Sequence, residues 1–183
     1  MRKTYITPKE TDADSIRETR KLLSMTQAEF ADFLGVSKPT VERWEKKAGP
    51  VRGEITLLCQ ILRRRPEIAE EFSVPENIYS TRLWYMYRDM PCTLIDVNPL
   101  LKKVRIKNYS EKNMFRAFGS IENPTYEDFE RFLESRCFPR TGDKMKIRLK
   151  ELDLPFYDPF LIVQKTEGRM SEDDFWIRLE SSV

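Results

Sequence analysis

A chain of 183 residues, 40% hydrophobic and 34% charged, can hold one domain of ordinary size or two small ones, and this balance excludes intrinsic disorder. No apolar run approaches the roughly 20 residues of a membrane span, and Met1-Arg2-Lys3-Thr4-Tyr5 lacks a secretory signal's apolar block, so a cytoplasmic protein without membrane contact is expected. A net charge of +2 excludes a strongly basic body, and the absence of histidine removes Ser-His and Cys-His nucleophile pairs and histidine metal ligands.

Residues 1–13 read as an unstructured lead-in. Helical spacing predicts a first helix over Ser15–Ser24, with Ile16, Thr19, Leu22 and Leu23 inward. Residues 26–46 then give two short amphipathic helices separated by Gly35-Val36-Ser37. Thr26 is placed to cap the first, with Glu29 completing a capping box. Gly35 can adopt the positive φ that a tight interhelical turn needs, Val36 plugs the angle between the helices, and Ser37 is an N-cap for the second. Phe30, Ala31, Leu34, Val41 and Trp44 fall inward, with Ala31 small where helices approach closely.

Lys38, Pro39, Thr40, Arg43, Lys46 and Lys47 are left on the outward side or just beyond it. Pro39 is tolerated at the second helical position because that amide has no intrahelical acceptor. The arrangement reads as a helix-turn-helix that docks on DNA. Lys38, Thr40 and Arg43 are the candidates for base edges, Arg43 being able to bind guanine bidentately. Gln27, Ser37, Lys46 and Lys47 are the candidates for phosphates.

A fourth helix is expected from about Gly53 to Arg64, with Ile55, Leu58, Cys59 and Leu62 at helical spacing. Pro66 opens a short fifth helix ending near Phe72. The run Arg63-Arg64-Arg65 suits phosphate contacts and a solvated helix end equally well. Ser73-Val74-Pro75-Glu76-Asn77 breaks the pattern, which predicts a DNA-binding domain over 1–75 and a second domain over 82–183. Residues 1–75 hold 14 Lys/Arg and 12 Asp/Glu and the remainder 18 of each, so DNA affinity must rest on a local patch.

The residues that carry the first half resemble a known family. Ile16 through Arg20, Thr26-Gln27, Ala31, Leu34-Gly35-Val36-Ser37, Val41 and Trp44-Glu45 look like the Xre/Cro class of repressors. Pro50 to Glu67, with Leu57-Leu58, Leu62 and Pro66-Glu67, is similar to antitoxin members of the HigA and MqsA type. The sequence departs from the family at Lys47-Ala48-Gly49-Pro50-Val51-Arg52-Gly53, where a short Gly-Arg turn is usual. The resemblance implies a buried ion pair between Arg20 and Glu45 that pins the first helix to the recognition helix. It also implies a homodimer reading an inverted repeat in double-stranded DNA.

Beyond residue 80 the texture changes. Leu83–Tyr87, Cys92–Val97 and Lys103–Lys107 are rich in aromatic or β-branched residues, with turns at Asp89-Met90-Pro91 and Asn98-Pro99, which predicts a three-stranded antiparallel meander. Helices follow: one capped by Thr125 with Asp128, one over Asp143–Leu152 capped by Thr141, and one from Asp158-Pro159 to Gly168. Ser171 and Glu172-Asp173-Asp174 before Phe175-Trp176-Ile177 suit a helix start or a closing strand. The expected fold is an all-α five-helix domain followed by a small α+β domain with a three-stranded meander and helices.

Several residues have competing readings. Cys59, Cys92 and Cys137 are far apart without metal-ligand spacing, and Cys59 reads as a small core residue. Trp84, Tyr85 and Tyr87 read as alternating core and surface aromatics ahead of a base-stacking platform. Arg136 and Arg140 read as ordinary pairing ahead of a phosphate or carboxylate site. Glu172-Asp173-Asp174 reads as a capped helix N-terminus ahead of a metal site.

Arg88-Asp89-Met90-Pro91, then Phe132-Leu133-Glu134-Ser135-Arg136-Cys137-Phe138-Pro139-Arg140-Thr141, then Ser171-Glu172-Asp173-Asp174-Phe175-Trp176-Ile177 resemble the amino-terminal part of HipA-like proteins over about residues 82–178. No Gly-rich phosphate loop or catalytic-loop segment accompanies them. The resemblance implies a regulatory piece that binds a kinase partner without catalysing anything. Taken together, the sequence predicts a DNA-binding transcriptional regulator, antitoxin-like and autoregulating, whose residues 82–183 bind a protein partner. No enzyme activity, cofactor or metal is expected. The alternative is a mobile-element inhibitor, such as an anti-CRISPR protein, carrying an autorepressor helix-turn-helix.

Overall fold

A computed structural model describes residues 3–141 and 144–180. The chain divides into two compact units, Met1–Val74 and Pro75–Val183. The first is helical, with α1 (Ala13–Leu22), α2 (Gln27–Leu34), α3 (Lys38–Lys46), α4 (Glu54–Arg64) and α5 (Ile68–Phe72). Its core gathers Ile16, Phe30, Ala31, Val41, Val51, Ile55, Cys59 and Leu62.

Local details depart from the expectation at the start of this unit. The lead-in is structured at its end: Thr11 forms a bridge with Val51, their amides donating to each other's carbonyls at 2.9 and 2.7 Å. Asp12 then caps α1 by accepting from the Ser15 amide at 2.7 Å, so the helix starts before Ser15 and ends before Ser24. Leu22, expected inward, is 52% exposed because helical rotation sets it about 120° from Ile16, whereas Leu23 falls in line with Ile16 and packs on the core. The atypical loop after α3 contributes Val51 to the core, so the unusual sequence there serves packing.

The second unit is α+β, but its sheet has four strands where three were expected. The strands β1 (Thr81–Tyr87), β2 (Met90–Asn98), β3 (Lys103–Asn108) and β4 (Phe175–Glu180) are ordered β3-β2-β1-β4 and each neighbouring pair is antiparallel. The acids before Phe175 therefore precede a strand, not a helix. Period-2 alternation sorts β1 into two faces. Leu83 and Tyr85 join Ile95, Val97 and Ile177 in a core covered by α6 (Tyr126–Ser135), α7 (Met145–Glu151) and α8 (Pro159–Thr166). Trp84 and Met86 face the other way with Leu94.

The caps explain where these helices begin. Thr125 and Asp128 form a capping box on α6, and Asp158 accepts from the Leu161 amide at 3.0 Å to start α8. The predicted start of α7 at Asp143 lies outside the described residues. Among the described residues, α7 begins at Met145, and Lys144 before it makes no side-chain cap bond.

Candidate nucleic-acid interface

The recognition segment is built by two local devices. Gly35 takes φ 65° and ψ 31°, ending α2 in the left-handed conformation, and the Val36 amide reaches back to the Ala31 carbonyl at 2.9 Å. Thr26 and Glu29 form the capping box that begins α2. Ser37 occupies the N-cap position of α3, but its hydroxyl makes no cap bond and instead pairs with the Thr40 hydroxyl at 2.9 Å. Pro39 sits in the first turn of α3, where its missing amide leaves no helical bond unmade.

The orientation of α3 is fixed from its carboxyl end by charge. Arg20 on α1 donates to both carboxylate oxygens of Glu45, at 2.6 and 3.1 Å, and to the Met25 carbonyl at 2.9 Å. Gln27 donates to the same carboxylate at 2.8 Å, and Arg17 donates to the Glu45 backbone carbonyl at 2.7 Å. Burial alone would raise the Glu45 carboxyl, yet the hydrogen bonds from Arg20 and Gln27 outweigh it and hold the group below the usual carboxylate range. Glu45 is 4% exposed, so three side chains from α1 and α2 converge on one buried turn.

What remains outside that lattice is the outward face of α3. Ser37, Lys38, Pro39, Arg43, Lys46 and Lys47 are exposed, and Thr40 is half-buried. Lys38 pairs with Glu42 one turn along at 3.5 Å, an exposed contact of a few tenths of a kcal/mol that a phosphate can readily replace. Gln27 differs from the other candidates, because its amide is engaged with Glu45 and its side chain serves the scaffold. Sequence reasoning overlooked two residues here. Arg17 clamps the end of α3 and follows the rule that cations suit helix C-termini. Glu42 sets a carboxylate beside Lys38, an acceptor of the kind that reads a cytosine amino group.

The family comparison coincides with this geometry: residues 16–66 match the model described as Helix-turn-helix. Residues 16–66 are thus similar to the helix-turn-helix family. The matched stretch runs from Ile16, the first core residue of α1, to Pro66, just past α4. A search of curated proteins returned no match. The helix-turn-helix domain supports DNA binding and transcription regulation, and the described residues include no helix long and apolar enough to cross a membrane.

The remaining candidates are placed as follows. Arg63 pairs with Glu18 and Arg65 with Glu67, both at 3.0 Å, which favours the solvated helix end over phosphate contact for this run. Trp84 turns to the opposite sheet face from Tyr85 and Tyr87 and stacks on Tyr109, so the three rings make no common platform. Asp173 binds Arg136 and Asp174 binds Arg88, so the acidic cluster is committed to arginines. Arg140 lies over the Tyr157 ring at 5.7 Å. All of Cys59, Cys92 and Cys137 are buried thiols without disulfides.

Proposed function

We propose that the chain is a non-catalytic, antitoxin-like transcription regulator that binds its own operator through α3 and a protein partner through residues 82–183. The observation that carries the DNA arm is the exposed row Lys38, Arg43, Lys46 and Lys47 on a helix whose other side is fixed by Glu45. In this reading α3 enters the major groove, with Lys38, Thr40 and Arg43 toward base edges and Ser37, Lys46 and Lys47 on phosphates. Two copies read an inverted repeat. The partner arm is supported by the resemblance of residues 82–178 to the amino-terminal part of HipA-like proteins, and the partner in this reading is a kinase of that kind.

Binding of the full chain to the DNA upstream of its own gene, followed by fluorescence anisotropy, tests the first arm. Tighter binding there than on a shuffled duplex at equal salt is the expected result, and equal affinity for both overturns it. Co-purification with the product of an adjacent kinase-like gene tests the second arm. A kinase that elutes apart from this chain after co-expression argues against that partner.

A further inference from the structure

Between α6, α8 and the ends of β1 and β2 lies a cavity of about 610 Å³, a volume in the range of small-molecule sites. Its walls are apolar where they meet the sheet: Val97, Phe129 and Leu133 are buried, and Tyr126 and Phe160 pack beside them. Its rim is acidic. Glu130 and Glu134 project from α6, and Asp158 stands at the start of α8.

These carboxylates are not neutralised by ion pairs among the described residues. Asp158 accepts from the Leu161 amide, and Arg140, the cation on the same rim, rests over the Tyr157 ring. The negative field is felt by neutral neighbours. Burial pushes the Tyr126 hydroxyl up, and Glu130 and Asp158 push it further. Burial likewise raises the Cys137 thiol to about 12, with Glu134 and Asp158 adding to it. An apolar chamber with three carboxylates and one arginine at its mouth is complementary to a ligand with an apolar body and a positive head.

We infer that this cavity is a binding site for a small organic cation, its hydrocarbon part between Phe129, Leu133 and Phe160 and its ammonium at Glu130, Glu134 and Asp158.

The test uses the full chain and three probes that share one body, 4-phenylbutylammonium, 4-phenylbutanol and 4-phenylbutanoate, titrated by calorimetry at low salt. Saturable binding of the ammonium, about tenfold tighter than the alcohol and tighter still than the carboxylate, is expected. E130Q/E134Q, altered only at exposed positions, should keep its melting temperature and lose about that tenfold preference. Leu161→Trp should fill the mouth and weaken the ammonium, and the glutamine pair carries the test if this variant fails to fold. Equal binding of the three probes, or no saturable binding up to millimolar concentration, overturns the assignment. So does a lysine-rich peptide that binds while the amine does not, because it would give the cavity to a protein partner.

Discussion

Arg20 grips both oxygens of Glu45 while Gln27 donates to one of them, so a residue of α1 and a residue of α2 hold the last turn of α3 through one carboxylate. Removing a single partner from a buried, hydrogen-bonded charge leaves the rest uncompensated. Glu45→Ala should therefore cost about 3 kcal/mol of stability, read from the urea midpoint of the helical signal. DNA affinity should fall with it even though Glu45 faces away from the exposed row.

The same carboxyl gives an acid limb. Its folded pKa is depressed, so its stabilisation is complete above the unfolded value of about 4.3 and is lost as pH falls through the folded value. Asp173 behaves alike, held down mainly by the hydrogen bond from Arg136, with an unfolded value of about 3.9. Urea midpoints should fall below about pH 4.3, and Glu45→Gln should flatten that fall. A wild-type midpoint constant from pH 6 to pH 3 would contradict this, where about pH 3 lies below both unfolded values.

On DNA the two kinds of basic residue should separate. Arg43→Ala should lose about 1–3 kcal/mol on the specific site and relax sequence preference, whereas Lys47→Ala should weaken all sequences alike and lower the salt slope by about 1. Anisotropy titrations at several salt concentrations distinguish them. An Arg43→Ala protein with undiminished affinity for the specific site would remove that residue from base reading.

Arg136 predicts the behaviour of the second unit. The side chain is 7% exposed and donates to Asp173 at 2.7 and 2.9 Å, to the Gly168 carbonyl at 2.9 Å and to the Phe175 carbonyl at 2.9 Å. It ties the end of α6 to the segment that enters β4. Arg136→Met should cost about 3 kcal/mol, since it strands these acceptors, and a double-mutant cycle with Asp173→Asn should show strong coupling.

Two glycines should respond differently to alanine. Gly35 has φ 65° with no atom within 4 Å of an added Cβ, so Gly35→Ala should cost about 1 kcal/mol from backbone strain alone. Gly168 has φ 59°, and its Cβ would meet Ile177 Cδ1 at 3.1 Å and Arg136 Cβ at 3.2 Å. Gly168→Ala should be the more damaging of the two in thermal melts.

The helix-turn-helix was legible because its signals are local: Thr26 and Glu29, Gly35, Pro39 and the apolar positions lie within one or two turns of each other. The ends were less so. The bridge from Thr11 to Val51 and the extension of α1 to Ala13 depend on partners about 40 residues apart or on a cap that helical periodicity does not report. Gln27, a candidate phosphate contact, also donates to Glu45, an engagement that exists only in the folded domain. In the second half, Ser171 to Ile177 suited a helix start or a closing strand on local composition alone. Pairing with β1, about 90 residues earlier, makes the segment from Phe175 a strand, and Arg136 and Arg88, also distant in sequence, hold the acids before it.

That strand has a consequence for how the protein is made. Tyr85 pairs with Ile177, so β1 stays an unpaired edge until almost the whole second unit has been synthesised. The helical unit spans Met1–Val74, so all of its residues have been synthesised well before then. A chain that ends before Phe175 would thus carry a complete helix-turn-helix unit beside an exposed β1 edge and an unfinished second unit.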